Sequence, residues 1–366
     1  MPEASNTPAT DTSNVIYVLG AGYCGLTAAA ELAMNGSKVH VVAKDLGFMP
    51  PITIVGTQSR RWPGISVCNQ TFTADDLNDR EIETINRLLA LSNIEKTGVK
   101  VYPGLKVSRK EGVWWNKRTF EGERLAKNRR TNNSMKMICT PETVKPSVKE
   151  ALHKVGYQSV DETPVICVET KTYFEYLLSV IKRYNGVVSL GHTLTKEVVE
   201  TMKGKAIVNC LGLNSKDVGG AEGTHFDVSG EVVIYRDCPE PVPFYVIDDD
   251  TQCAVTQCPN GTLYISGGAN PKITGGWDQD STKKTVQDAD SLCEALFGCK
   301  MDVGKFSESW VGSRPSVQEG GFNVNVSRRA DGQLLGNFNG VAGAGVAASW
   351  ANAAILHEAL KKAVQN

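Results

Sequence analysis

Six consecutive residues near the start of the chain have the spacing of a phosphate-binding turn. In such a turn the first glycine permits a sharp change of direction, the second lets the backbone approach a pyrophosphate, and the third allows close helix–strand packing. The N-terminus of the following helix then directs unpaired N–H groups at the phosphates. The residues, in the pattern G-x-G-x-x-G, are Gly20, Ala21, Gly22, Tyr23, Cys24 and Gly25. They predict a dinucleotide site without separating FAD from NAD, and a purely structural glycine turn is the alternative.

An acidic residue that such a site usually carries is missing. Dinucleotide-binding folds usually place Asp or Glu at the end of the second strand, where it holds a ribose. The corresponding run, VHVVAKD, has Ala43 at that point, followed by Lys44 and Asp45. Either no dinucleotide binds, or a particular one binds in a different way.

Two other turns and one arginine also suit binding chemistry. The turn at 209–212 (NCLG) ends an apolar strand, and the glycine-rich loop at 340–345 (GVAGAG) precedes the last helix, whose dipole can stabilise negative charge on a flat ring. Arg314, in VGSRP, can hold a carboxylate through two parallel hydrogen bonds. Each also has an ordinary interpretation: a strand end, a flexible loop and a surface arginine.

Several other chemistries find no support in the sequence. The histidines show no metal-ligand spacing, and no P-loop, nucleophile elbow or zinc pattern is present. His40 lies inside a predicted strand, which favours a packed side chain over a catalytic one. We therefore expect no metal site.

Hydrophobic periodicity predicts the elements that must position these residues. Apolar runs at 15–19 and 39–42 flank a helix at 26–34, which makes a βαβ unit around the glycine turn. Residues 47–70 indicate an ordered loop, and 102–146 are irregular. The remaining predictions are helices over 75–91, 172–183 and 345–362, buried strands over 187–190 and 205–212, and antiparallel strands over 231–236, 243–248 and 262–268.

Length and composition bound the possibilities further. A chain of 366 residues suggests about two domains, and 39 basic against 40 acidic residues give no case for nucleic acid or an acidic membrane. Ten cysteines without a CxxC pair favour buried reduced thiols. The polar first 14 residues read as a disordered tail without a signal sequence, and no apolar run could span a membrane. The ending AVQN is not a peroxisomal signal, so we expect a cytoplasmic protein.

Taken in order along the chain, these features resemble the D-amino-acid oxidase family of FAD enzymes. VHVVAKDL is similar to the second-strand end of microbial members, where Ala-Arg-Asp follows the strand; here Lys44 stands for the arginine. LYISGG, VGSRP and the glycine loop before SWANAA fall where the family has its inner strand, its substrate arginine and its flavin-contacting loop. The resemblance extends from Val15 to Ala363 and is weakest over 70–165.

The resemblance implies FAD as the cofactor and assigns roles to individual residues. Lys44 and Asp45 would lie near the adenosine, Leu194 would hold the adenine through backbone atoms, and Arg314 would clamp the substrate carboxylate. The implied cofactor-binding residues are Gly20, Ala21, Gly22, Tyr23, Cys24, Gly25, Ala43, Lys44, Asp45, Thr53, Ser59, Arg60, Arg61, Leu194, Cys210, Gly212, Arg314, Gly343, Ala344, Gly345 and Val346.

The chain departs from the family at two substrate positions. Family members carry a tyrosine that binds the substrate carboxylate on the strand before the inner hairpin, and counting back from Gly267-Gly268 places Val255 there. A second active-site tyrosine, just after the glycine pair, is replaced by Asn270. Tyr245 or Tyr264 can compensate for the lost hydroxyl groups.

The implied fold class is α/β, with a Rossmann-like FAD-binding domain and an inserted, mostly antiparallel β substrate domain. The FAD-binding domain would comprise 15–75, 160–220 and 320–366. The substrate domain would comprise 76–159 and 221–319.

The implied activity is oxidation of a D-amino acid or related amino carboxylate, with O2 as the second substrate and no side chain assigned as acid or base. The altered tyrosine positions leave open a tailoring oxidase for an unusual cyclic or secondary amine. Arg60 and Arg61 leave open D-aspartate as a substrate. An inactive flavin-binding protein is the alternative outside enzymes, and an NAD(P) dehydrogenase finds no support in the later motifs. A homodimer is compatible with all of these.

Overall fold

The computed structural model describes most of the chain. Within the described residues, two β-sheets are packed with helices. The predicted tail lies almost entirely outside them. The described ranges are 13–47, 52–55, 74–110, 146–218, 225–236, 238, 245–251, 253–257, 261–267, 279–302, 304–317, 323–340 and 345–365.

A six-stranded sheet carries the glycine turn. Its strands are β1 (Val15–Ala21), β2 (Lys38–Leu46), β6 (Val187–Ser189), β7 (Ala206–Asn209), β13 (Asn323–Arg328) and β14 (Leu334–Asn339). The order is β13-β14-β7-β1-β2-β6, with β13 antiparallel to β14 and the other pairs parallel. The central strands are apolar because parallel sheets are covered on both faces.

A layer of helices covers this sheet. Helix α1 (Tyr23–Met34) joins β1 to β2 and packs against α4 (Thr170–Arg183) and α8 (Ser349–Gln365). Helix α2 (Ala74–Ser92) packs on α8. The buried alanines of α1 allow these close approaches because their side chains are small.

A polar network fixes the relative orientation of these helices. The Trp350 Nε1 on α8 donates to the Tyr173 hydroxyl on α4 at 2.8 Å. The Arg87 guanidinium on α2 lies 3.8 Å from the centroid of the Trp350 ring and forms a 2.9 Å ion pair with Glu31 on α1. Four helices are therefore joined through one tryptophan and one arginine.

The second sheet has eight strands. They are β3 (Ile52–Val55), β4 (Val99–Ser108), β5 (Ser159–Glu169), β8 (His225–Tyr235), β9 (Tyr245–Asp248), β10 (Ala254–Gln257), β11 (Leu263–Ser266) and β12 (Glu308–Val317). Their order is β12-β8-β11-β10-β9-β4-β5-β3. The pairs are antiparallel except for β4 and β9, which run parallel.

The two faces of this sheet have different neighbours. Helices α3 (Pro146–Lys154), α6 (Gln279–Asp288) and α7 (Asp290–Phe297) cover one face, which we call the helix-covered face. Val233, Val255 and Ile265 pack there. On the opposite face, which we call the Tyr245 face, Tyr245 packs with Ala254. Side chains alternate between the two faces along each strand.

The expected α/β class with a parallel and an antiparallel layer is confirmed. The periodicity of the sequence did not predict β3, β4, β5, β12, β13 and β14. β3 lies within the predicted loop and has only four residues, and β4 contains Pro103 and Gly104, which hide its strand pattern. None of the described helices is long and apolar enough to cross a membrane.

Candidate functional site

The glycine turn is built by close backbone contacts with β7. Gly20 has φ +99°, and a β-carbon there would lie 2.7 Å from the carbonyl oxygen of Cys210. A β-carbon at Gly25 would overlap the carbonyl oxygen of Gly20. The first and third glycines are therefore required by the protein's own packing.

The middle glycine faces open space. Nothing described lies within 4 Å of the point that a β-carbon would occupy at Gly22, which is the N-cap of α1. The cap has no side-chain hydrogen bond, and the first turn of the helix contains no acidic residue. The first N–H groups of α1 and its positive end thus point toward a space that an anion can enter. The turn fits the pyrophosphate of a dinucleotide.

The two cysteines beside this turn are neutral. Burial raises the pKa of the Cys24 thiol to about 12. Burial also raises the pKa of Cys210 well above its usual value, and proximity to Cys24 adds to this effect. Neither thiol carries a negative charge at neutral pH, so neither repels a phosphate.

The end of the second strand differs from the usual ribose site in its backbone. Ala43 is buried, whereas Lys44 and Asp45 are exposed. The pairing of β1 with β2 is irregular here, because Leu19 lies opposite Val42 but Ala21 lies opposite Leu46. Lys44 and Asp45 therefore belong to an irregular, bulged segment near the C-terminal end of β2.

Residues after β6 lie beside that segment. The Gly191 N–H donates to the carbonyl oxygen of Lys44 at 2.9 Å, and the His192 N–H donates to that of Ala43 at 3.1 Å. Leu194 packs against the apolar cluster that contains Leu19. The structure thus brings together three of the residues predicted for the adenosine end, namely Ala43, Lys44 and Leu194.

Arg314 lies on β12, which packs against residues 212–218, the segment that follows β7. It lies opposite Val228 in the pairing of β12 with β8; its side chain is outside the described atoms. A β-carbon at Gly212, which has φ +61°, would lie 3.6 Å from Cγ of Pro315, the next residue of β12. Because Cys210, at the start of the same turn, contacts Gly20, the backbone of Arg314 is linked by contacts to the glycine turn.

Val255, a predicted substrate residue, faces away from Tyr245. The Val255 side chain is 1% exposed and packs on the helix-covered face. Thr256 faces the other way and lies directly opposite Tyr245 on one side and Tyr264 on the other. Three hydroxyl-bearing residues therefore form a row across β9, β10 and β11 on the Tyr245 face. Strand alternation counted from Tyr245 is the signal that identifies Thr256.

The remaining predicted residues fall into two groups. Thr53 lies on β3 opposite Val168, and Gly345 and Val346 precede α8, where the Val346 carbonyl accepts from the Ser349 N–H at 3.2 Å. No group of side chains able to hold a metal ion occurs among the described residues. The predicted residues that lie outside the described ranges are Ser59, Arg60, Arg61, Asn270, Gly343 and Ala344.

Comparison with known proteins identifies the family. Residues 87–360 match the DAO family, described as FAD dependent oxidoreductase. The D-amino-acid oxidase of Fusarium vanettenii is 26% identical over 253 residues, which cover 63% of this chain and 63% of that protein. The matched region thus spans less than two thirds of that relative's length.

Solved structures share the fold at low identity. Glycine oxidase from Geobacillus kaustophilus is 15% identical with a TM-score of 0.62, over 95% of this chain and 94% of that chain. L-alpha-glycerophosphate oxidase from Mycoplasma pneumoniae, solved with FAD bound, is 13% identical with a TM-score of 0.64, over 96% and 95%. Their names show that one fold serves different substrates. Because the family match covers most of its length, the chain belongs to the DAO family of FAD-dependent oxidoreductases.

Proposed function

We propose that the protein is an oxidase that removes a hydride from the α-carbon of an amino carboxylate, with D-amino acids as the leading substrate class. The packing of β12 against the segment that begins at Gly212 carries the proposal. It joins the strand of Arg314 to the turn that lies against the glycine turn. The strand of an arginine that would bind a carboxylate thus lies next to a turn of the dinucleotide site. This arrangement suits a substrate whose carboxylate is held while its α-carbon approaches a flavin.

The glycine turn would hold FAD, which would supply hydride uptake and transfer of the electrons to O2 as hydrogen peroxide; hydrolysis of the imine product would give a keto acid and ammonia. The chain's own contribution is placement. Arg314 fixes the substrate carboxylate through two parallel hydrogen bonds. A carboxylate fixed at one end orients the α-hydrogen of only one enantiomer.

The hydroxyl row on the Tyr245 face supplies polar contacts for the rest of the substrate. Tyr245, Thr256 and Tyr264 share one line across three strands. Thr256 is smaller than the tyrosine that the family resemblance implies on this strand. This observation favours a second candidate function within the same chemistry, the oxidation of a bulkier cyclic or secondary amine.

The absorption spectrum of the purified protein tests the proposal. We expect a flavin spectrum that D-amino acids bleach without oxygen, with peroxide formed in air. Bleaching by cyclic secondary amines alone would favour the second candidate. A flavin that no amine of either kind reduces contradicts the oxidase proposal and indicates a flavin-binding protein.

Substitution of Arg314 tests its role as the carboxylate clamp. Arg314→Ala should weaken substrate binding by about 3 kcal/mol, on the order of a hundredfold, because the carboxylate loses its partner. Arg314→Lys should recover only part of this, because an ammonium group cannot form the paired hydrogen bonds. Arg236→Ala is the control, since Arg236 is an exposed arginine of the same sheet, paired with Glu308 at 2.6 Å. Equal kinetics for Arg314→Ala and the control would remove Arg314 from the site.

A further inference from the structure

The indole of Trp310 lies over a glycine on its own strand. A β-carbon at Gly312 would overlap Cη2, at the outer edge of that indole. Gly312 lies opposite Gly230 of β8, so two glycines are paired at this point of the strands. Any larger residue at 312 would displace the indole from this position.

Strand alternation places this indole on the Tyr245 face. Trp310 lies opposite Val232, which in turn lies opposite Ser266 on β11. Ser266 lies opposite Ala254, which packs with Tyr245. Ser309, the residue before Trp310, points the other way and donates to Glu231 at 2.9 Å. The alternation of β12 is therefore fixed by a side-chain contact.

The indole of Trp310 extends along β12 in the direction of Arg314, the proposed carboxylate clamp. Positions 310, 312 and 314 share one side of β12, because every second residue of a strand does so. Since the indole extends from 310 over Gly312, it covers the interval between Trp310 and the strand position of Arg314. Its Nε1 is buried and has no hydrogen-bond partner among the described residues, whereas the side chain as a whole is only half-buried.

We propose that Trp310 determines substrate specificity by forming an aromatic wall beside the Arg314 carboxylate clamp, and that the substrate is an amino carboxylate with a flat ring as its substituent. The inference rests on the proposed function, because it takes Arg314 as the clamp. Aromatic rings attract each other in offset or edge-on contacts beyond the burial of their surface. A ring attached close to the carboxylate therefore meets the indole, whereas a short aliphatic chain gains less.

Binding of simple carboxylates to the oxidised holoenzyme tests this wall without turnover. Benzoate and propionate are titrated separately, and the change in the flavin absorption gives a dissociation constant for each. We expect benzoate to bind more tightly, and we expect Trp310→Ala to reduce the ratio of the two constants about fivefold or more, because the ring contact is lost. Trp310→Phe should keep most of the preference.

Two further variants distinguish a specific effect of the indole's position from a general structural effect of substitutions in β12. Gly312→Ala leaves Trp310 in the chain but displaces its indole, so it should lower the same ratio. Val311→Ala changes the adjacent, exposed residue, which lies opposite Glu231, and should leave the ratio unchanged. An equal ratio in the wild type and Trp310→Ala overturns the proposal.

The experiments distinguish an error in the proposed role of Trp310 from an error in the proposed oxidase function. If Trp310→Ala changes the ratio but no amine bleaches the flavin, the aromatic wall stands and the oxidase proposal fails. If amines bleach the flavin but the ratio is unaffected, the oxidase stands and the wall fails. A flavin that responds to neither carboxylate overturns the wall together with the Arg314 clamp.

Discussion

The hydroxyl oxygens of Tyr23 and Thr170 lie 2.5 Å apart, and their hydrogen bond joins the glycine turn to the sheet that carries the substrate-side strands. Tyr23 begins α1, and Thr170 begins α4 directly after β5. The Tyr23 ring also meets Phe174 edge-on, with the ring centroids 4.8 Å apart. The turn assigned to the FAD pyrophosphate is therefore held in place from the neighbouring sheet.

Removing this hydroxyl group should loosen the cofactor. Tyr23→Phe keeps the ring and its contact with Phe174 but loses a hydrogen bond worth about 1 kcal/mol, so we expect the FAD dissociation constant to rise about fivefold. Fluorescence titration of the apoprotein with FAD measures it. Tyr184→Phe, at an exposed tyrosine, is the matched control and should bind FAD normally. If the two variants have the same FAD affinity, the contact does not support the turn.

Alanine at two glycines of the turn, Gly22 and Gly25, should have different effects. Gly22→Ala places a methyl group in open space, so the apoprotein should fold as before. The methyl group should keep the pyrophosphate from the N–H groups of α1, and each lost charge-assisted bond costs about 1.5–3 kcal/mol. We therefore expect FAD affinity to fall at least about tenfold with little change in the melting temperature of the apoprotein.

Gly25→Ala provides the contrast, because its methyl group would overlap the Gly20 carbonyl. This variant should lower the melting temperature of the apoprotein itself. Normal FAD binding by Gly22→Ala would show that the space beside it does not receive the pyrophosphate. An unchanged melting temperature for Gly25→Ala would contradict the close packing of the turn.

The cofactor half of the site was readable from the sequence because its determinants are local. A glycine turn, the helix after it and two apolar runs lie within one short segment, and each has a periodicity or spacing of its own. Ala43 and Lys44 follow directly from that segment. Their neighbour Leu194 was placed only by the family resemblance, since β6 reaches Ala43 and Lys44 through backbone hydrogen bonds that no local pattern reveals.

The substrate half was less readable because it depends on register between strands. β10 has only four residues, and a single position along it separates Val255 on the helix-covered face from Thr256 on the Tyr245 face. The pairs that fix the face, Thr256 with Tyr245 and with Tyr264, come from two other strands. Trp310 and Gly312 are only two residues apart in the sequence. Even so, the sequence does not reveal that the indole lies over the glycine, because this depends on the side-chain conformation of the tryptophan.

A buried carboxyl group on the helix-covered face, that of Glu231, joins β8 to β12, the strand that carries Trp310 and Arg314. Glu231 on β8 is 1% exposed and accepts from the hydroxyl groups of Thr282 at 2.5 Å and Ser309 at 2.9 Å through Oε1, and from Thr285 at 3.2 Å through Oε2. Ser309 belongs to β12. The Thr285 hydroxyl would lie 2.9 Å from a β-carbon at Gly267, which follows β11. One side chain thus connects α6, β8 and β12, and through Thr285 it approaches the end of β11.

Glu231→Ala should therefore destabilise the protein more than Glu231→Gln. Alanine removes the acceptor of three hydroxyl groups and leaves a cavity, which together cost on the order of 3 kcal/mol. Glutamine keeps the volume and one carbonyl acceptor, and the hydroxyl groups can rotate to accept from its amide, so its cost is about 1 kcal/mol. Melting temperatures measured at one saturating FAD concentration compare the variants, since bound cofactor raises stability by itself. Equal melting temperatures for the alanine and glutamine variants would mean that the three hydroxyl groups find other partners. In that case Glu231 would not hold β12 to α6.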